Sequence, residues 1–374
     1  MSAFSAKGRD ARRGHNVIEQ PAHVASGAGV PARATVLVLG ATGFIGRALV
    51  KRLRRDGVAV RALVRDTAGR AESLARDGVE LMHGDFVDAR CVEAALEGIR
   101  HVVHLVHLTR GPGSTWADCL RLDVEPTRLL AELCAARGIS LHYSSSIAIY
   151  DGGRASDVIA ESTPPSRAAM RISLYARAKV TCEHLLAQMH RERGLAVVVF
   201  RPGIVIGAGG NPYHPGVGAW PSASVCQLWG DGRHGLPFVL VDDCADAMAR
   251  ALHTSGIAGQ SFNLVGAPCL SGNAYLDALE RMAGTRIKRV RLPTWWLFAR
   301  SAAKWGLQTL ARNSARRLPS YGYIDGLSCR ASYSADLAKQ RLAWAPAADA
   351  ATLIARGIVA PSSELNAGHE TTDR

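Results

Sequence analysis

The fold class predicted by this 374-residue sequence is α/β, a doubly wound parallel sheet with a smaller, discontinuous C-terminal lobe. Three observations carry that expectation. Short β-branched runs alternate with longer stretches rich in Ala, Leu and Arg, the pattern of parallel strands joined by crossover helices. The first run ends in glycines and opens directly into a helical stretch. Beyond Gly203 the alternation gives way to Gly, Pro and Trp with isolated helical segments. The composition fits a globular protein: 48% of residues are hydrophobic, 21% are charged, and 45 Lys and Arg face 32 Asp and Glu for a net +13. Collagen, a disordered chain and a disulfide-stapled miniprotein are excluded.

Residues 1–33 lack apolar periodicity and are expected to form a disordered tail, as are 361–374. A domain over 34–265 follows, with lobe segments interleaved after 203, and then a C-terminal lobe over 266–360 that holds a basic amphipathic helix. Within the first domain TVLVLG, VAVRALV, VELMHGD and HVVHLV read as strands. Segment 127–137 reads as a helix, 139–145 as a strand, 174–193 as a helix and 196–201 as a strand. That makes about six parallel strands. Further helices are expected near 242–253 and 272–283.

Gly40-Ala-Thr42-Gly43-Phe44-Ile45-Gly46 joins the first strand to its helix. Glycines allow the tight turn and close backbone approach, and a helix N-terminus presents unpaired N–H groups to a pyrophosphate. Dinucleotide binding is the expectation. The end of the second strand, where an acidic residue would select NAD, carries Val64 and Arg65, with Arg61 before them; a 2′-phosphate could be met by guanidinium, which favours NADP over NAD. Asp85, with Phe86 beside it, is a candidate for the adenine amino group or, equally, a turn cap.

Tyr175 and Lys179, four apart on a helix, share a face. A nearby ammonium stabilises a phenolate, so such a Tyr can move a proton to or from a substrate hydroxyl while hydride moves to or from a nicotinamide. The strand before it ends in Ser144-Ser-Ser146-Ile-Ala-Ile-Tyr150, which places hydroxyls at the carboxyl edge where open α/β sheets bind ligands. A lone serine run would otherwise read as a strand-end turn.

Taken together, the segments TVLVLGATGFIG, HGDFVD, HVVHLVH, SSSIAIY, Glu161-Ser-Thr-Pro, Tyr175-Ala-Arg-Ala-Lys179 with Glu183, Arg201-Pro-Gly203 and Phe238-Val-Leu-Val-Asp242-Asp243 resemble an extended short-chain dehydrogenase/reductase of the NAD-dependent epimerase/dehydratase type over roughly 35–260. The resemblance implies a Rossmann fold binding NAD(P), Tyr175 as acid/base, Lys179 on the nicotinamide ribose and Ser146 polarising the substrate oxygen. It maps Gly40, Gly43, Gly46 and Asp85 onto cofactor contacts. The sequence departs from the nucleotide-sugar members, with Ile204 and Leu236 where they carry Asn and Arg, and with Asp123 where the family more often has Asn. A nucleotide-sugar is expected from family prevalence, and the alternatives are a reductase or dehydrogenase of a hydrophobic hydroxyl or ketone, like the 3-beta-hydroxysteroid dehydrogenases and dihydroflavonol reductases, and a non-catalytic dinucleotide scaffold or sensor. Tyr150 and Asn211 are the candidate substrate contacts.

No metal site is expected, because His101, His104 and His107 alternate in direction along a strand. Eight cysteines without CxxC spacing suggest a reducing, cytoplasmic setting. No stretch reaches the roughly 18 apolar residues of a membrane span. No motif points to nucleic acid, and a homodimer is common in the family that the chain resembles. Segment 286–330 contains ten Lys and Arg and one Asp, and so supplies nine of the thirteen net charges. Within it, 293–312 reads as a helix with Arg300, Lys304, Gln308 and Arg312 on one side and Trp295, Trp296, Phe298, Trp305, Leu307 and Leu310 largely on the other. Such a helix can rest on an anionic membrane, cover the substrate pocket or pack on a partner.

Overall fold

A computed structural model describes residues 35–65, 69–109, 114–151, 158–310, 321–326 and 331–359; the two terminal tails lie outside the described residues, as does Arg312. Seven strands form the central sheet: β1 Val36–Leu39, β2 Val60–Val64, β3 Glu80–His83, β4 His101–His104, β5 Ser140–Ser144, β6 Val197–Pro202 and β7 Ser261–Leu264. Their order is β3-β2-β1-β4-β5-β6-β7, and every pair is parallel. This is the doubly wound arrangement, in which the chain leaves β1 toward one edge and then returns to build the other half.

Because strand side chains alternate between faces, the near-continuous apolar runs feed two cores. Val36 and Val38 of β1 join one core, with Val60, Ala62, Val198 and Phe200. Leu37 and Leu39 join the other, with Val102, Leu141, Tyr143, Val197 and Val199. The helix Phe44–Arg55 buries Leu49, Val50 and Leu53 on the first face beside the helix Val241–Ala251, and Arg52 pairs with Asp246 across them. The helices Glu125–Arg137 and Leu174–Arg193 cover the second face; both end at left-handed glycines, Gly138 and Gly194.

The seventh strand was not among the six expected, since Phe262-Asn-Leu264 lies inside the stretch read as irregular. A third apolar cluster builds the smaller lobe from Ile204, Ile206, Leu228, Phe238, Tyr275, Leu279, Leu353 and Ile358. The lobe is therefore discontinuous, but its C-terminal boundary differs from the expected 266–360. Ala335, Ala338, Leu342 and Trp344 pack into the first core of the sheet domain. Trp344 Nε1 donates to the Asp243 carbonyl at 2.9 Å, and the Asp243 carboxylate accepts from the Ala347 N–H at 2.8 Å.

Candidate active site

β1 delivers the glycine turn to the middle of the sheet's carboxyl edge. Gly40 adopts φ +87°, and a Cβ there would lie 3.3 Å from the Leu105 backbone. Gly46 is tighter still, since a Cβ would sit 2.1 Å from the Gly40 carbonyl oxygen. Gly43 caps the following helix without any side-chain bond, and no acidic residue occupies its first turn. The helix N-terminus is left to offer N–H groups and positive dipole outward. Thr42 gives its carbonyl to Arg47 Nη1 at 2.8 Å, while Phe44 and Ile45 turn into the main cavity.

That cavity holds about 970 Å³ and runs along the carboxyl ends of β4, β5 and β6. Ser144, Ser145, Ser146, Tyr175 and Lys179 all line it. β5 ends at Ser144, and Ser146 caps a single 3₁₀ turn, its Oγ accepting from the Ala148 N–H at 3.2 Å. Ser173 caps the helix Leu174–Arg193 in the same manner, which places Tyr175 in the first turn and Lys179 one turn deeper. Lys179 is 4% exposed and donates from Nζ to the Ser144 carbonyl at 2.7 Å. Its ammonium stands 4.8 Å from the Tyr143 ring centre and 5.8 Å from that of Tyr175. Burial lowers its pKa from the ordinary lysine value.

The site fits a dinucleotide on its own chemistry. The glycine turn and uncapped helix suit a pyrophosphate, and an ammonium has three donors, of which Ser144 takes one. The Ser145 Oγ, buried in the cavity wall, lacks a hydrogen-bond partner. Two sequence candidates sit elsewhere. Phe86 is 6% exposed, packed in the second core with its ring 4.6 Å from that of His104. Asp85 caps a turn, Oδ1 accepting from the Val87 N–H at 3.2 Å. Arg65 is exposed just past β2, whereas Arg61 is committed to Glu80 and to the carbonyls of Ala95 and Glu97.

Tyr150 corrects the expectation of a substrate contact. It is 2% exposed, outside the cavity lining, and its hydroxyl meets Arg201 Nη1. The 3₁₀ turn 147–150 rotates it away from the strand edge into the first core. Arg201, at the end of β6, also grips Glu183 of the Tyr175 helix through Nε and Nη2, at 3.0 and 2.6 Å, and the Glu161 carbonyl at 2.9 Å. Strand, helix and loop are thereby tied together behind the cavity. Asn211 does reach the cavity rim, with its Oδ1 accepting from the Tyr213 N–H at 2.9 Å.

Three residues beside the site were not among the candidates. His107 lines the cavity with its ring edge-on to Tyr175 at 4.8 Å, and its Nδ1 lies 3.2 Å from Asp123 Oδ1. Burial opposes ionisation of Asp123, but hydrogen bonds from His107, Thr109 and the Leu108 N–H outweigh it and hold the carboxyl far below the usual carboxylate range. The sequence signal for this pair was the Asp at an Asn position, but its partner lies 16 residues upstream on another element. Behind them the Val106 N–H donates to His104 Nδ1, so Nε2 carries the proton and donates to Thr127 Oγ1 at 3.0 Å. Burial keeps His104 neutral, its pKa pushed down to about 3. The third is Asp151, which lines the cavity and is pushed up to about 7 by burial.

The doubly wound sheet, the glycine turn and the Ser, Tyr and Lys at one carboxyl-edge cavity define a dinucleotide-dependent oxidoreductase. A model of the NAD dependent epimerase/dehydratase family matches residues 36–264, and the chain belongs to that family, within the extended short-chain dehydrogenases/reductases. It is an NAD(P)-dependent enzyme. The chain is 32% identical over 244 residues to the UDP-glucose 4-epimerase of Mycolicibacterium smegmatis, covering 61% of this chain and 76% of that protein. It is 26% identical over 305 residues to sterol demethylase protein B of Methylococcus capsulatus, covering 77% and 86%. The crystal structure of gox2253 superposes with a TM-score of 0.70 at 26% identity, over 89% of this chain and 98% of the other.

Proposed function

We propose that the protein interconverts a secondary alcohol and a ketone with NADP(H), on a substrate whose recognised portion is apolar and uncharged. One observation carries the reading: Leu105, Ile147, Ile204, Val205, Trp229 and Pro237 wall the cavity, and among its described lining residues Lys179 is the sole Lys or Arg. A nucleotide-sugar would bring two phosphates, which call for guanidinium or ammonium partners. Lys179 is already engaged under Ser144 and Tyr175. The similarity to sterol demethylase protein B agrees with an apolar substrate. Arg65 supports NADP, as a guanidinium at the end of β2 in the position that decides the ribose contact.

The nicotinamide, when bound, accepts or returns hydride. Ser146 Oγ donates to the substrate oxygen and orients it. Tyr175 takes the hydroxyl proton during oxidation and gives it back during reduction, while the Lys179 ammonium stabilises the phenolate. The Arg201–Glu183 pair holds the helix that carries both groups. The apolar walls exclude water and strengthen each of these interactions.

A second reading, turnover of a nucleotide-sugar with retained NAD, is favoured by the 32% identity to UDP-glucose 4-epimerase. Mass spectrometry of the small molecules released on denaturing purified protein separates the two, followed by assays with hydroxysteroids and with UDP-sugars. The proposal expects exchangeable NADP(H) and turnover of the apolar alcohol. Stoichiometric NAD with turnover of UDP-sugars alone would overturn it. Tyr175→Phe should lower kcat by roughly 10²- to 10⁴-fold and leave dinucleotide affinity unchanged; undiminished turnover would refute the role of Tyr175.

A further inference from the structure

None of the described residues of the basic, Trp-rich helix Thr294–Leu310 lines the cavity. The sides of this helix are also not divided as the sequence suggested. Leu297 is buried, and the Phe298 ring meets Tyr321 at 5.8 Å, while Trp305 is half-buried. Trp295, Trp296 and Leu307 instead face outward, at 62%, 39% and 69% exposure. Wound at 3.6 residues per turn, Trp295, Ala299, Ala303, Trp296 and Leu307 fill one outward arc, and exposed Arg300 and Lys304 border it. The Arg300 guanidinium lies over the Trp296 ring at 5.3 Å.

We propose that this arc docks the protein on an anionic lipid bilayer. Indole rings settle at the boundary between headgroups and acyl chains, and flanking cations pair with lipid phosphates and carboxylates. Charge selects this occupant. The helix contains no Asp or Glu, and segment 286–330 contains one Asp against ten Lys and Arg. A second copy of the chain seated on the same patch would bring Arg300 and Lys304 against their own equivalents with no carboxylate on the helix itself to offset them. Docked in this way the helix lies along the bilayer surface; no helix among the described residues is long and apolar enough to cross a membrane. The inference is independent of the proposed reaction, because its test reads binding alone.

The experiment is co-sedimentation of the full chain with phosphatidylcholine vesicles, with and without phosphatidylserine, with tryptophan emission recorded alongside. Binding to the phosphatidylserine vesicles, a blue shift on binding and loss of both in high salt are expected. Arg300→Gln with Lys304→Gln should weaken binding roughly fivefold for each cation removed. Trp295→Ala, Trp296→Ala and Leu307→Ala together should abolish it; dinucleotide binding by each variant verifies folding. Equal binding to neutral and anionic vesicles, or no binding by the wild-type chain, overturns the proposal. So does a dimer that the triple variant dissociates in the absence of vesicle binding.

Discussion

Glu183→Gln removes the negative partner of a buried cation. The Arg201 and Glu183 side chains are each 8% exposed, and two guanidinium nitrogens reach the carboxylate at 3.0 and 2.6 Å. After the substitution Arg201 keeps the Tyr150 hydroxyl and the Glu161 carbonyl, both neutral, so a buried positive charge is left without a counter-charge. Breaking a buried pair in this way costs about 3–5 kcal/mol. At ~2 cal/mol/K of unfolding entropy per residue over a chain of this size, the thermal midpoint falls by roughly 4–7 °C. Removing both charges with Arg201→Met and Glu183→Leu should recover much of that loss, because no uncompensated ion remains. Urea unfolding followed by intrinsic fluorescence measures all three chains. A Glu183→Gln protein within about 1 kcal/mol of wild type, the range of an exposed pair, would refute the reasoning. A double variant as unstable as the single one would do the same.

Gly46→Ala places a methyl group 2.1 Å from the Gly40 carbonyl oxygen, so the phosphate turn must move; overpacking of this kind costs about 1–3 kcal/mol, and titration calorimetry should show weakened dinucleotide affinity, whereas native affinity would contradict the tight approach. Acid should destabilise the fold. Burial pushes His104 and His142 down to about 3 and His214 down to about 4, so between about 4 and 6.5 the unfolded chain binds three protons that the native protein excludes. Asp151, pushed up to about 7, acts in the opposite direction, since the native protein takes up its proton before the unfolded chain does. With two net protons the stability falls by about 2.7 kcal/mol per pH unit on acidification between about pH 6.5 and 4. His142→Phe should flatten that slope in thermal melts from pH 7 to 5, and an unchanged slope would show that His142 is not excluded from protonation.

Most of the sheet domain could be read along the chain because burial writes itself into local periodicity. Val36 and Val38 face one core and Leu37 and Leu39 the other, so β1 had to be apolar throughout. The glycine turn and the four-residue spacing of Tyr175 and Lys179 are equally local. What local pattern could not express is which distant groups meet. Ser261–Leu264 becomes a seventh strand because β6 offers it an unpaired edge, although its own four residues are too few to carry a period. Trp344 returns to the sheet domain from beyond the smaller lobe. The direction of Tyr150 depends on a single 3₁₀ turn, and that of Trp295 and Trp296 on which face of their helix found neighbours. His107 reaches Asp123 and Tyr175 because the doubly wound order sets β4 next to β5 and the helices Glu125–Arg137 and Leu174–Arg193 on the same face of the sheet. Periodicity records only whether a side chain is buried; its partner is chosen by the crossovers and turns that bring remote elements to a common edge.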